Sequence, residues 1–326
     1  MFSNVQPAVL KDSPPLLQVV IDTEEDFDWN APPDRQQTGV DSMNYIDRVQ
    51  DIFNAYGIVP CYVIDYPVAS QPDGVRLLKH YHSAGQCEIG AHLHPWVSPP
   101  HDEQVTVRNM YPGNLPAELE RAKLTQLRDK ITEQFGQAPR AYKAGRYGFG
   151  PNTQSTLQAL GFDIDLSVSP AFDHRYDGGP DFSDYSAEPF FFGDNALEIP
   201  ITGAFVGWTG GLRKPLFNLG QTLNKVKAPG IFSRLGLSDR IALSPEGYGF
   251  SEHKKITQFL RQQGVNTFTW SFHSPSVKPG CTPYVRSEKD LQEFLDNFRR
   301  YFDFFFHELG GKPTSPTQLK TLLETK

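Results

Sequence analysis

Two histidines one residue apart are the clearest sign of chemistry in this sequence. His92 and His94 end the apolar segment 87–94. Residues two apart on a strand point to the same side, so both imidazoles are within reach of one metal ion. His80 and His82 have the same spacing but fall in a helical pattern, where such side chains diverge. We therefore predict a metal site at His92 and His94, with two structural histidines as the alternative.

A cluster of acidic residues follows the apolar run 16–22. Its four carboxylates repel one another unless water or a cation neutralises them. The cluster consists of Asp22, Glu24, Glu25 and Asp26. A solvated acidic loop is the ordinary explanation, but this run follows a buried strand and leads into Phe27 and Trp29. Strand alternation places Glu24 on the same side as Asp22, so Glu24 is the predicted carboxylate ligand.

Further polar residues lie at the ends of later predicted strands. Lys143 and Arg146 stand among glycines before a helix, where they form either a basic turn or a cation that keeps a catalytic carboxylate ionised. Asp163 and Asp165 share one strand face. His273 ends an aromatic strand and can act as a general acid near neutral pH. A core or surface histidine is the alternative for His273.

The segments that carry these residues alternate between strand and helix patterns. Short apolar runs are followed by amphipathic stretches that end at glycine, as in parallel βα units. The predicted strands are 16–22, 58–64, 87–94, 140–143, 162–168, 196–202, 241–243 and 266–273. The predicted helices are 42–56, 74–84, 116–135, 152–160, 216–226, 251–264 and 288–309. This order predicts a single α/β domain over 1–326, with a less regular insertion around 170–240.

The composition argues against several functional classes. The chain has 326 residues, a formal charge of −7 and a pI near 5.7, so attraction to nucleic acid or to an anionic membrane is not expected. No apolar run is long enough to span a membrane, and the amino-terminal residues do not match a secretory signal. The cysteines, Cys61, Cys87 and Cys281, form no C-x-x-C pair. We therefore expect a cytoplasmic protein without disulfides.

The order of the polar clusters resembles the polysaccharide deacetylase family, the metal-dependent carbohydrate esterases. Five segments stand in the order of that family's motifs across residues 16–275: VVIDTEED, EIGAHLHPW, YKAGRYG, FDIDLSVSP and TWSFHSP. The forms DTEEDFDW, HLHPW and AGRYGFG look most like its WalW-like branch. The sequence departs from the family in lacking an adjacent Asp-Asp pair, in its shorter histidine spacing, and in having Lys143 at the usual third-motif arginine.

This resemblance implies a fold and a reaction. The implied fold is a deformed (β/α) barrel of about seven parallel strands. The implied reaction is hydrolysis of a linear amide C–N bond, which removes N-acetyl groups from an amino-sugar-containing glycan or its precursor in bacterial cell-surface polysaccharide metabolism. Glu24, His92 and His94 would hold zinc, with iron, cobalt or manganese as alternatives. Carbohydrate is the implied partner, and the oligomeric state stays open.

The resemblance also implies roles for the other site residues. Asp22 is the expected general base and His273 the expected general acid, oriented by Asp165. Arg146 is the expected cation beside Asp22, because arginine binds a carboxylate through two parallel hydrogen bonds; Lys143 is the alternative. The aromatic residues expected to stack on sugar rings, each of which could equally belong to the core, are Tyr147, Trp96 and Trp29.

Two other functions are compatible with this sequence. One is hydrolysis of a small cyclic amide by the same fold, and the other is carbohydrate binding without catalysis, because a fold does not fix a substrate. A long cleft with aromatic residues would favour the glycan. A small closed pocket would favour the cyclic amide.

Overall fold

The structure is a computed structural model that describes residues 1–10, 13–223 and 228–325. The described residues form twelve strands and ten α-helices. The strands β1–β12 are Gln6–Pro7, Leu16–Thr23, Cys61–Ile64, Glu88–Leu93, Ala141–Ala144, Ile164–Asp165, Phe190–Phe192, Ala196–Glu198, Gly203–Val206, Asp239–Ala242, Thr267–His273 and Lys312–Pro313. The helices α1–α10 are Asp47–Ala55, Tyr66–Ser70, Pro72–Ser83, Ala117–Phe135, Thr153–Leu160, Arg213–Thr222, Ala228–Arg234, Phe250–Gln262, Glu288–Phe302 and Pro316–Glu324.

Seven parallel strands form the centre of the fold. Their spatial order is β11–β2–β3–β4–β5–β6–β8, and β7 and β1 extend the β8 edge in antiparallel pairing. Every residue of β2, LLQVVIDT, is buried. A strand covered on both faces requires such a near-continuous apolar run, which explains why β2 lies between β11 and β3.

Hydrogen bonds connect the two edges of this curled sheet. The amide of Leu243 donates to the Thr202 carbonyl at 2.8 Å, and the amide of Ser271 on β11 donates to the Leu243 carbonyl at 3.2 Å. The segments after β8 and β10 thus lie between the first and last parallel strands. The predicted α/β class and the deformed barrel of about seven parallel strands are confirmed.

The structure differs from the predicted elements in the second half of the sheet. The strands expected at 162–168 and 196–202 are confined to β6 and β8. One reason is that the amide of Val168 donates to the Glu198 side chain at 2.9 Å rather than to a neighbouring strand. The segment 241–243 falls largely in β10, which pairs antiparallel with β9. The helix predicted at 216–226 is α6, and residues 224–226 lie outside the described part of the chain.

Aromatic packing fixes the outer layer against the sheet. The α9 helix begins at a capping box on Ser287 and buries one apolar face. Trp270 of β11 stacks on Tyr301 of α9 with ring centroids 4.8 Å apart, and Phe298 meets Trp270 edge-on at 5.2 Å. These contacts hold the strand that ends at His273. Among the described residues, no helix combines the length and apolarity needed to cross a membrane.

Candidate metal centre and active site

The two histidines of the second motif converge on one carboxylate. His92 lies within β4 and His94 directly follows it; both are buried. Their Nε2 atoms lie 3.7 Å and 3.4 Å from Oε2 of Glu24. The three groups offer ligand atoms that all lie within 4.8 Å of one another. Strand alternation therefore brings together the residues predicted to bind metal.

The other ring nitrogen of each histidine is already occupied. Nδ1 of His92 lies 2.9 Å from the Lys143 carbonyl, and Nδ1 of His94 lies 2.9 Å from Oε2 of Glu25. When Nδ1 donates to these oxygens, the lone pair of each Nε2 faces Glu24. Burial lowers the pKa of both imidazoles, that of His94 to about 4, so both are neutral at pH 7.

Glu24 provides the test of whether a metal fits. Its carboxylate is buried, and its Oε1 has no hydrogen-bond partner in the described part of the chain. Burial raises the pKa of Glu24, because the charged form is poorly compensated beside two neutral imidazoles. A divalent cation would balance that charge and accept all three donor atoms. The residues thus fit a two-histidine, one-carboxylate metal site.

The charge of Asp22 is balanced by a lysine. Nζ of Lys143 lies 2.6 Å and 2.8 Å from the two Asp22 carboxylate oxygens and 3.1 Å from Oγ of Ser271. Burial alone would raise the pKa of Asp22, but Lys143, with the neighbouring histidines, outweighs it and lowers that pKa. The expectation that Arg146 pairs with Asp22 is wrong, and the alternative, Lys143, occupies that position.

Arg146 points away from Asp22 because the backbone turns at Arg146 itself. Arg146 and Tyr147 have left-handed φ angles of 52° and 59° at the end of β5, so the chain reverses there. The guanidinium of Arg146 binds the Asp177 carboxylate and packs over the ring of Tyr111. Lys143 precedes this turn, lies within β5 and is fully buried inside the barrel.

His273 is oriented by a glutamate that we did not single out in the sequence. Its Nδ1 lies 2.7 Å from Oε2 of Glu246, and its backbone amide donates to Oε1 of the same carboxylate at 3.1 Å. Nε2 of His273 lies 3.7 Å from Oδ2 of Asp22. Burial would lower the pKa of His273, but Glu246 and the other nearby carboxylates raise it to about 10.

Asp165 does not orient His273, which corrects our expectation. Asp165 lies on β6 in register with Glu198 of β8, several strands away from β11. Its Oδ1 accepts a hydrogen bond from Oγ of Ser167 at 2.6 Å, and its side chain also interacts with Glu198. The two buried acids lie close together, and burial raises the pKa of each.

The aromatic residues predicted to bind sugar divide into two groups. Trp29 and Tyr147 line a cleft of about 610 Å³ that also contains His273. Trp29 meets the His273 ring edge-on at 4.9 Å. Trp96, in contrast, is buried and stacks on His94 with centroids 4.2 Å apart, outside this cleft. Trp96 therefore packs on a histidine instead of lining the cleft.

A pair of buried acids, Glu25 and Asp65, packs behind the candidate metal site. Glu25, which contacts His94, donates its backbone amide to Oδ2 of Asp65 at 2.9 Å. Burial raises the pKa of Glu25 to about 8 and the pKa of Asp65 well above its usual value. The sequence contained a signal for Asp65, because it directly follows β3 at the same edge as the other clusters. Glu246 had a weaker signal, since it lies in an irregular segment after β10.

Two glycines allow the close approach of these strands. A Cβ on Gly145 would lie 2.4 Å from the Leu93 carbonyl oxygen and 2.7 Å from Cδ2 of His94. A Cβ on Gly90 would lie 2.8 Å from a methyl group of Val63, so glycine allows β4 and β3 to approach closely there. Any larger residue at Gly145 would displace the His94 ring.

Two solved structures share this fold over nearly its whole length. A candidate polysaccharide deacetylase from Mycobacterium smegmatis aligns with a TM-score of 0.52 and 13% identity, covering 100% of this chain and 96% of that chain. The Puue allantoinase aligns with a TM-score of 0.55 and 16% identity, covering 98% of this chain and 94% of that chain. The chain has the polysaccharide deacetylase fold.

Sequence comparison adds no nearer relative. No protein-family profile and no curated protein matches the sequence. The polysaccharide deacetylase fold that the five motifs implied is therefore supported by structure rather than by overall sequence identity. The WalW-like branch stays a prediction.

Proposed function

We propose that this protein is a metal-dependent hydrolase that removes N-acetyl groups from an amino-sugar-containing glycan. The observation that carries the proposal is the arrangement around Glu24. Its buried carboxylate faces two neutral histidine nitrogens, while the neighbouring acid Asp22 already has its own cation in Lys143. The site thus combines a buried carboxylate, Glu24, whose charge a cation would balance, with an ionised base, Asp22.

Asp22 is the proposed general base. A divalent metal held by Glu24, His92 and His94 would polarise the amide carbonyl and acidify water. Asp22 would take a proton from the attacking water, and Lys143 keeps Asp22 ionised for that task. A base that is charged at neutral pH and fixed by two hydrogen bonds is ready to act without side-chain reorganisation.

His273 is the proposed general acid. Its pKa near 10 keeps it protonated at pH 7, and the Glu246 contact leaves Nε2 as the free donor. Nε2 faces the same space as Asp22, so a proton can be delivered to the departing amine nitrogen. The products would be acetate and a free amino sugar.

The cleft favours a sugar over a small cyclic amide. Its volume of about 610 Å³ and its aromatic walls suit stacking on pyranose faces. The aromatic lining residues are Trp29, Tyr111, Tyr147, Phe172, Tyr176, Phe272, Tyr248 and Tyr284. The allantoinase likeness keeps cyclic-amide hydrolysis as the second candidate, because that protein has the same fold.

The test combines metal analysis with two substrates. We expect about one divalent ion per chain after loading with zinc, and its loss when His92 and His94 are both changed to Ala. Wild-type protein should release acetate from N-acetylglucosamine oligomers and leave allantoin unchanged. The Asp22→Asn variant should keep the ion and lose about 10²–10⁴-fold in rate.

Three other outcomes would each count against the proposed function or favour one of its alternatives. Metal retained by the double histidine variant would refute the assigned ligands. Hydrolysis of allantoin without acetate release would favour the cyclic amide. Metal binding with neither activity would favour a non-catalytic carbohydrate-binding protein.

A further inference from the structure

Residues 207–238 expose an unusual density of large apolar side chains. The segment contains α6 and α7, which pack on β9 and β10. Six of its residues have between 44% and 74% of their surface exposed: Trp208, Leu212, Leu219, Leu223, Ile231 and Leu235. Isolated exposed apolar residues are ordinary, but six within 28 residues need a partner.

The exposed leucines within α6 and at its two ends form a stripe separate from the packed face of the helix. Leu212, Leu219 and Leu223 are spaced by seven and four residues, which places them on one side of a helix. Phe217 lies on another side and packs on Phe205 of β9 with centroids 5.2 Å apart. The helix is thus attached by one face and presents a second apolar face outward.

The charge of this segment is opposite to that of the whole chain. Residues 207–238 contain no Asp or Glu, whereas the protein has a net charge of −7. Its described basic residues are Arg213, Lys214 and Arg234. Lys214 reaches Asp184, while Arg234 is exposed and forms no ion pair with any described residue.

We propose that the α6–α7 surface docks on an anionic phospholipid bilayer. Exposed Trp and Leu beside arginine, in a segment whose own sequence contains no acid, is the pattern of helices that lie in the membrane interface. A second copy of this chain is a poorer occupant, because self-pairing of one surface brings like charges together. The sequence-based expectation against binding to anionic membranes relied on the net charge of the whole chain. That value does not reveal that residues 207–238 are locally positive.

The docking surface adjoins the cleft wall. The guanidinium of Arg240, which lines the cleft, packs over Phe217 of α6 at 5.0 Å and over Phe172 at 4.4 Å. Docking through the outer face of α6 would therefore leave this wall of the cleft about 10 Å, one helix diameter, from the bilayer. This placement suits a glycan carried on a lipid as the substrate. That inference about the substrate rests on the proposed function, whereas the inference of membrane docking is independent of it.

The test is co-sedimentation of the whole protein with vesicles. We expect binding to phosphatidylcholine vesicles containing about one third phosphatidylglycerol, no binding to pure phosphatidylcholine, and weaker binding as salt rises. The double variant Leu212→Ser and Leu219→Ser should bind at least about tenfold more weakly, because two apolar side chains no longer enter the interface. Arg234→Gln should weaken binding less and reduce its salt dependence.

The matched control changes Val5→Ser and Leu322→Ser, which are 55% and 45% exposed elsewhere on the surface and should leave binding unchanged. Equal binding of wild type to both vesicles, binding to neither, or equal loss in both double variants would overturn the proposal. Self-association that the α6 variant abolishes, without vesicle binding, would assign the surface to a second copy. Acetate release from soluble oligomers is measured separately, and its absence would count against the proposed function alone.

Discussion

Lys143 and Arg146 are three residues apart and carry the same charge, yet they occupy different environments. Lys143 is fully buried in β5 and binds Asp22, whereas Arg146 lies at the barrel rim, half-buried, and binds Asp177. The difference arises from the left-handed turn that begins at Arg146. A cation inside a barrel sets the protonation of a buried acid, while one at the rim positions a loop.

Removing Lys143 should give the largest effect on stability. Lys143→Met leaves the Asp22 carboxylate buried without a cation, so we expect a loss of about 3–5 kcal/mol in unfolding free energy at pH 7. The deficit should shrink as the pH falls and Asp22 becomes protonated. Denaturant unfolding measures both. Combining Lys143→Met with Asp22→Asn should restore part of the stability but no activity; an equally unstable double variant would contradict this account.

Changing Glu246 should move the pH dependence of activity. The pKa of His273 is near 10 largely because Glu246 and the other carboxylates offset the effect of burial. Glu246→Gln should lower that pKa, so His273 would lose its proton at lower pH and the alkaline fall in kcat/KM would begin earlier. We expect a shift of at least about one pH unit. Asp165→Asn is the control, because Asp165 does not contact His273, and it should leave this limb in place.

Glu120 tests how much a buried acid lowers the stability of the fold when none of the described cations forms an ion pair with it. Its carboxyl accepts a hydrogen bond from Thr153, and burial raises its pKa to about 7. The folded state then holds a proton that the unfolded state releases above its usual pKa, so stability falls as the pH rises from about 4.5 to about 7. Glu120→Gln should remove this slope and stabilise the protein at pH 8 by about 2 kcal/mol. An unchanged slope, measured by denaturant unfolding across this pH range, would show that Glu120 is ionised in the fold.

Arg146→Gln should have the smallest effect on stability. Its ion pair with Asp177 is partly exposed, so we expect a loss of about 1 kcal/mol or less. The acid limb of the pH–rate profile should stay where it is, while Lys143→Gln should shift that limb to higher pH by raising the pKa of Asp22. A shift in the Arg146 variant alone would reverse the comparison.

The sequence was sufficient to predict which strand-end residues lie close together. Period-two spacing predicts that His92 and His94 share a face, and buried apolar runs predict the parallel strands that bring them near Glu24. These inferences need only local geometry, because the carboxyl ends of neighbouring parallel strands meet at one edge. Asp65 follows the same rule and could have been predicted with them.

The side chains that contact Asp22 and His273 could not be derived from strand periodicity. Which cation reaches Asp22 depends on a turn with left-handed backbone at Arg146 and Tyr147. Because neither of these residues is a glycine, the sequence does not indicate a positive φ angle at either position. Glu246 contacts His273 from an irregular segment, where neither the two-residue repeat of strands nor the 3.6-residue repeat of helices predicts the direction of a side chain. Asp165 was assigned by motif order, but side-chain contact depends on strand order, and β6 is not adjacent to β11.

Lys143 contacts both the proposed base, Asp22, and the proposed metal ligand His92, the first through its side chain and the second through its backbone. Its side chain holds Asp22, and its backbone carbonyl accepts the Nδ1 hydrogen of His92. A displacement of Lys143 within β5 would therefore change both contacts at once. The orientations of the proposed base and of one proposed metal ligand thus depend on the position of a single residue.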